Sequence, residues 1–362
     1  MVHTLAYQLG FHSEEARREI LSAITADPHI KEQGMALQAE QLLGIPLSAM
    51  TPAKDPPYSQ AHPSPAPLVI FIDGLDECEG NPCGAVESLL AVLISVICRL
   101  PGHVKLLIST RGEHDTRIML DRIMFRHKIE RTMLFRHEVD RAIVRWDIRL
   151  YLSHSLSEVR DRHPRIPETW PTGEILNTLV KLSGNLFVYA ATVVRFVDDT
   201  KHSPVERLGQ LLAFSKQAVS SDEESSSDSL DRLYLNILLS AADAEEEGTS
   251  SIERIRLILV GILFVQDELS ARDLALLVGV DLDMAPSTFQ HLSAVLTYTS
   301  NAAAVRVFHS SFSDFLSDHH RCSDARFYVS KMDCEGSLAR LCLRLLTEEV
   351  CGAQSSRSSA RG

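Results

Sequence analysis

No apolar stretch in this sequence is long enough to span a bilayer. The longest apolar runs, 89–98 and 257–265, fall well short of the roughly 20 residues a membrane helix needs and are predicted to be buried helices. The opening residues, MVHTLAYQLGF, lack the basic segment followed by an apolar core that marks a secretory signal peptide. Paired cysteines are also missing. The seven cysteines, at 78, 83, 98, 322, 334, 342 and 351, include no C-x-x-C, and neither Cys78 with Cys83 nor the His319, His320, Cys322 cluster has the second half that a zinc site requires. They read as buried or free thiols in a reducing compartment. Positive charge is in deficit. A net charge of −12 opposes binding to a phosphate backbone and argues against a nucleic-acid partner. There is no G-x-S-x-G elbow, no H-E-x-x-H helix and no internal repeat, so serine hydrolase, zinc protease and solenoid readings all drop out. What remains is a soluble, cytoplasmic protein with no membrane partner.

The chain is rich enough in apolar residues for real cores. It is 45% hydrophobic and 23% charged over 362 residues, which suits two or three compact units. In residues 1–50, Ala16, Ile20, Leu21 and Ile24 share one helical face, Ser13 is placed to cap that helix, and Asp27-Pro28 ends it. A proline-rich loop, TPAKDPPYSQAHPSPAP, covers 51–67. The apolar run LVIFI at 68–72, a helix over 89–100 and a second apolar run at 104–109 give strand, helix, strand, the order of a parallel sheet covered by helices. A further strand is expected at 131–135.

From Asp147, read here as a helix cap, the pattern becomes helical. Ile148, Tyr151, Leu152 and Leu156 share a face, followed by helices over 175–182 and 186–197, the latter with Phe187, Ala190, Val194 and Val197 inward. Residues 215–229 are acidic and serine-rich and read as a linker. Beyond it come an amphipathic helix from Leu230, a buried helix over 255–265, the capping box Ser270-x-x-Asp273 closed by Gly279, an alternating strand at Ala303, Val305 and Val307, and a helix carrying Phe312 and Phe315. Short helices around a strand pair point to a winged-helix-like unit. The tail from Ala353 is polar and reads as disordered.

The sharpest chemical signal is LVIFIDGLDEC, residues 68–78. Apolar residues carry a strand through a sheet, and acids appear at its C-terminal end, where ligands bind in open α/β sheets. In a phosphoryl-transfer site Asp73 would hold magnesium through water, while Asp76 and Glu77 would orient the attacking water. The same residues also fit a strand running into an acidic helix start favoured by the helix dipole. The second signal is KLLISTRGE, residues 105–113, a strand with Arg111 beyond its tip, either a γ-phosphate contact or a plain surface cation.

Taken together, DGLDEC resembles the Walker B motif and KLLISTR the sensor strand of NACHT domains. LAYQLG at 5–10, DIRLYL at 147–152, the segment 170–197 and VRVFHSSFSDFL at 305–316 resemble further parts of NACHT-type (STAND-class, NLR-like) proteins of mushroom-forming fungi. The resemblance implies an α/β unit followed by all-α units: a partial P-loop NTPase-type parallel sheet over 1–142 whose central P-loop strand is missing, a helical domain over 143–214, the linker 215–229, a winged-helix-like domain over 230–330 and a C-terminal helix and tail over 331–362. It implies a nucleotide-switched signalling module using ATP or ADP with Mg, with protein partners or self-oligomers. Asp73 would be the magnesium-side acid, Asp76 and Glu77 the acids beside the attacking water, Arg111 the γ-phosphate sensor and His309 the winged-helix histidine that touches ADP. By its residues alone, His309 equally fits a ring packed beside Phe308 and Phe312. Phe187 stands where many relatives carry a proline against the adenine.

The chain departs from that family at a decisive point. No G-x-x-x-x-G-K-[ST] sequence, whose amides and lysine cradle the phosphates, occurs in these residues. The resemblance places it before Met1, and the repeats of the family after Gly362. Weakened or lost nucleotide binding is therefore the expectation, with an active ATP or GTP hydrolase (if a P-loop lies upstream) and a passive interaction scaffold as alternatives. Because the family's P-loop strand lies beside the sensor strand, 106–109 is expected to expose one edge or to pair with 131–135.

Overall fold

Local signals at the start of the chain fold as their chemistry dictates. Helix α1 (Val2–His12) and helix α2 (Glu14–Ala26) are joined by Ser13, whose side chain accepts the Ala16 N–H at 3.2 Å and so caps α2. Glu14 and Glu15 lie in its first turn, where the helix dipole favours acids. The computed structural model describes residues 1–50, 68–75, 84–100, 104–110, 114–126, 139–199, 201–217, 226–244, 249–265, 267–330, 336, 338–345 and 347. The chain divides into two units, Met1–His137 and Glu138–Gly362, each with its own buried cluster.

In the first unit, α2 is followed by a short 3₁₀ turn (Ile30–Glu32) and by α3 (Met35–Ala39), a π turn (Glu40–Gly44) and α4 (Ile45–Ala49), which run on as one helical stretch. Strand β1 (Leu68–Ile72), helix α5 (Ala85–Cys98), strand β2 (Val104–Ile108) and helix α6 (His114–Arg126) follow. The strands pair in parallel, from Leu68 against Val104 to Ile72 against Ile108. One edge of β2 is therefore covered along its length by β1, and residues 131–135, the alternative partner expected from the sequence, lie outside the described residues. Leu68, Ile70, Leu106 and Ile108 pack on the core built by Leu42, Leu43, Leu90, Leu93 and Ile123. Val69, Phe71 and Leu107, one residue out of phase, stay exposed on the opposite face. The proline-rich stretch 51–67 falls outside the described residues.

The second unit is helical. Helix α7 (Arg141–Asp161) begins at Asp140, whose carboxylate accepts the Ala142 N–H at 2.8 Å. The cap expected at Asp147 thus lies inside the helix. The reason is that Ile143, Trp146 and Leu150 are exposed, so the inward-facing pattern that marks a helix starts only at Ile148. Helix α8 (Gly173–Leu182) is capped by Thr172, and a turn in which Gly184 and Asn185 both adopt positive φ reverses the chain into α9 (Phe187–Val197). Phe187, expected inward, is 45% exposed and meets the Tyr151 ring edge-on at 6.2 Å.

Helix α10 (Pro204–Gln217) and helix α11 (Ser226–Asp243) take up both ends of the expected linker, so of 215–229 only 218–225 lies outside the described residues. Helix α12 (Thr249–Phe264) precedes α13 (Ala271–Val278), which has the expected ends: Ser270 accepts the Asp273 N–H at 3.1 Å, and Gly279 closes it at φ 71. Helix α14 (Ala285–His291), an antiparallel pair of β3 (Leu296–Thr297) and β4 (Arg306–Val307), and helix α15 (Ser310–Ser317) complete the series. Residues 338–345 are also helical. A single buried cluster runs from Leu152, Leu179 and Val193 through Ile237 and Leu259 to Phe289, Phe315 and Phe327. The helices before and after 218–225 therefore share one core.

A buried ionic group anchors the start of α10. Asp199 accepts from Arg207 at 2.6 Å, meets His202 Nδ1 at 2.7 Å and accepts the Lys201 N–H at 2.9 Å, while Arg207 lies 4.4 Å over the Phe196 ring. Burial pushes the Asp199 carboxyl up, but the Lys201 amide, His202 and Arg207 together outweigh it and hold the group below the usual carboxylate range. A depressed carboxylate stabilises the fold above its unfolded pKa, about 4, and loses that contribution as pH falls through the folded value. Asp199→Asn should therefore lower the unfolding midpoint at pH 7, with the gap to the parent narrowing below about pH 4. Thermal melts across pH 2–8 read this, and a gap constant with pH would refute it.

Candidate functional site

The ends of β1 and β2 meet at one hydroxyl. The in-register pairing of Ile72 with Ile108 places the next residues, Asp73 and Ser109, side by side. The Ser109 N–H donates to the Ile72 carbonyl at 2.9 Å, and the Leu75 N–H donates to the Ser109 carbonyl at 3.1 Å, so the two chains stay tied one step past the strands. The Ser109 hydroxyl accepts the Gly74 N–H at 3.0 Å and donates to Asp73 Oδ1. Gly74 sits at φ 62, a left-handed conformation that a Cβ would strain, and this lets the chain turn sharply after Asp73. The result is an exposed carboxylate at the C-terminal end of a parallel pair, one oxygen fixed by Ser109 and the other without a partner among the described residues. A carboxylate held this way suits a hydrated Mg²⁺, which is bound through one or two carboxylates and keeps several waters.

Of the residues read from the sequence as a site, Asp73 is placed at this strand end. Asp76, Glu77 and Arg111 lie outside the described residues. Ser109 was not among the candidates, although counting residues forward from the two aligned apolar runs would have set it opposite Asp73. Among the described residues no group of three His, Cys, Asp or Glu side chains is placed to hold a metal ion; the His319 and His320 rings meet at a tilt of 42° with centroids 3.7 Å apart, and Cys322 is buried.

His309 belongs to the second unit, where it caps α15. Its Nδ1 accepts the Ser311 N–H at 3.1 Å and is 2.8 Å from the Ser311 hydroxyl, which is 2.8 Å from the Tyr234 hydroxyl. An accepting Nδ1 sets the neutral ring's proton on Nε2. Burial pushes the Tyr234 phenol up to about 12. The ring is therefore engaged through the backbone of its own helix as well as lying beside Phe308 and Phe312 in sequence.

Arg195 is the second residue that sequence reading passed over. From α9 its guanidinium donates to the carbonyls of Ser293, Ala294 and Leu296, and it lies 4.3 Å over the ring of Phe308, next to His309. Burial pushes its pKa down, and it remains a cation. A signal did exist: a lone cation in the apolar run VVRFV has to find acceptors when its helix is buried.

The comparisons with known proteins bear on the first unit. The family model of the nephrocystin 3 N-terminal domain matches residues 1–111, a stretch that contains β1, the Asp73 turn, β2 and Ser109. No curated protein and no solved structure matches the chain. No helix among the described residues is long and apolar enough to cross a membrane. The first 111 residues are thus similar to a NACHT-associated family, loosely consistent with a signalling protein of that kind.

Proposed function

We propose that this chain is a NACHT-type signal-transduction switch module of a fungal NLR-like receptor, in which these 362 residues hold nucleotide weakly or not at all. The observation that carries the reading is the Asp73 carboxylate, turned out at the end of one parallel strand and held by Ser109 at the end of its neighbour. The nephrocystin 3 N-terminal match over the same strands supports it. So does the run of α13, α14, the β3–β4 pair and α15, whose order suits a winged-helix-like unit with His309 capping its last helix. On this reading the protein is cytoplasmic, works with protein partners or copies of itself, and binds neither nucleic acid nor membrane.

The residues present fit part of the implied cofactor. Asp73 with Ser109 fits the magnesium side of an ATP or ADP site, and Asp76, Glu77, Arg111 and His309 carry the roles that the resemblance gives them. The phosphate cradle is different, because no G-x-x-x-x-G-K-[ST] sequence occurs here. Electrostatic grip on the phosphates supplies most of phosphoryl-transfer catalysis. The residues present therefore supply no complete hydrolytic site. Carboxylates alone repel a triphosphate.

Calorimetric titration of the whole chain with Mg-ATP and Mg-ADP tests the reading. The expected result is a dissociation constant no tighter than roughly 100 μM, about −5.5 kcal/mol, weakened further in Asp73→Asn. Low-micromolar binding with phosphate release would instead establish a hydrolase with a substitute phosphate site. Saturable binding unchanged in Asp73→Asn would remove the strand end from the site and overturn the reading.

A further inference from the structure

The first unit has an apolar cavity that the nucleotide reading leaves unused. Its volume is about 430 Å³, and its walls come from α1, α2, residues 28–31 and Leu42. That size falls within the ~300–1,000 Å³ typical of small-molecule sites. Ala6 and Gly10, one turn apart on α1, keep its floor low, and Ile20 and Leu42 line it. Tyr7 and Phe11 stand at its rim, 68% and 77% exposed, paired edge-to-face with centroids 4.9 Å apart. Two large aromatic rings held out in water beside an apolar hollow are an unfavourable surface for a free monomer.

The charge around the cavity is one-sided. Its titratable lining residues are His3, Tyr7, Arg17 and Lys31, and no carboxylate lines it. Arg17 is engaged by Glu14. Lys31 has no ion-pair partner among the described residues, although its backbone carbonyl accepts from Gln38. A lysine with no ion-pair partner among the described residues, at the edge of an apolar hollow, runs against a chain whose net charge is −12.

We propose that this cavity binds an anionic amphiphile of small-molecule size, with its apolar body over Ala6 and Gly10 and against the paired Tyr7 and Phe11 rings, and its carboxylate at Lys31. The apolar walls supply most of the affinity by burial, and the lysine selects the sign of the head group. The site is separate from Asp73 and does not depend on the nucleotide reading.

Decanoate is the probe, titrated calorimetrically into the whole chain below its micelle concentration, with decyltrimethylammonium as the cationic counterpart. One decanoate should bind per chain, and the ammonium homologue should bind about fivefold more weakly or worse. Lys31→Glu should weaken decanoate by about fivefold. Gly10→Met should abolish binding without unfolding the unit. The nearest atoms to a Cβ at Gly10 would be Ile20 Cδ1 at 3.7 Å and Arg17 at 3.8 Å, ordinary contacts, and loss of a helical glycine favours the helix. Circular dichroism melts verify that the variant stays folded. Equal binding of the two head groups would overturn the proposal, as would decanoate binding that survives Gly10→Met. Dimerisation abolished by Tyr7→Ser and Phe11→Ser, without decanoate binding, would show that a second copy covers the rings and would overturn it too.

Discussion

Phe315→Ala is expected to destabilise the second unit by about 3–5 kcal/mol. Phe315 is fully buried on α15, with its ring 5.6 Å from Tyr234 and 6.3 Å from Phe312, and Tyr234 meets Phe312 at 5.0 Å. Removing one ring leaves a cavity and breaks two aromatic contacts, each worth about 0.5–1.5 kcal/mol beyond burial. A domain has only about 5–15 kcal/mol in total, so a large share of the unit's stability is at stake. The consequence reaches the candidate switch residue. α15 begins at His309, and the Ser311 hydroxyl that its ring engages is held by Tyr234 of α11. Urea unfolding followed by tryptophan fluorescence reads the second unit alone, because Trp146 and Trp170 both lie in it. A midpoint shift equivalent to less than about 1 kcal/mol would mean that the aromatic cluster is not what holds α15. Phe315→Leu, which keeps most of the volume, should lose markedly less.

What the sequence disclosed follows from whether each signal was local. Ser13, Ser270 and Gly279 act within a few residues of themselves, and the structure uses them as their spacing predicted. The strand, helix, strand order of 68–108 was legible because two short apolar runs flanked a helical one, and the parallel pair followed. Asp73 was legible as the first acid after such a run. Four features were not legible because their causes are tertiary. α11 starts at Ser226, inside a stretch whose composition reads as linker, and Leu230, Leu233 and Tyr234 supply by burial what the serines do not supply by propensity. The first two turns of α7 show apolar residues outward, so periodicity missed them. Ser109 came to lie beside Asp73 only when β2 aligned with β1. The acceptors of Arg195 lie about a hundred residues away, beyond any local pattern. Asp76, Glu77 and Arg111 lie outside the described residues.

Arg195→Ala is expected to cost about 2–4 kcal/mol and to loosen one region selectively. The guanidinium gathers the carbonyls of Ser293, Ala294 and Leu296, where α14 gives way to β3, and lies over Phe308 where β4 gives way to α15. Hydrogen bonds from a charged group contribute about 1.5–3 kcal/mol. A partly desolvated cation over an aromatic ring adds about 1–2 kcal/mol. Lysine has no planar fork to reach several carbonyls at once, so Arg195→Lys should recover little of the loss. The local effect separates a clamp from ordinary packing. The Phe308 N–H donates to the Val295 carbonyl at 2.8 Å, and the Leu296 N–H donates to the Leu292 carbonyl at 2.8 Å, so both amides report on the α14–β3 junction and on the end of β4, which Arg195 ties together. In Arg195→Ala their hydrogen exchange should accelerate through local opening, while the amide of Leu176, bonded to Thr172 at the start of α8, should change only as far as global stability falls. Acceleration shared equally by all three amides would show that Arg195 contributes to the unit as a whole and does not pin β4. Because β4 leads directly into His309, selective loosening would make Arg195 the residue that sets how firmly that histidine is held at the start of α15.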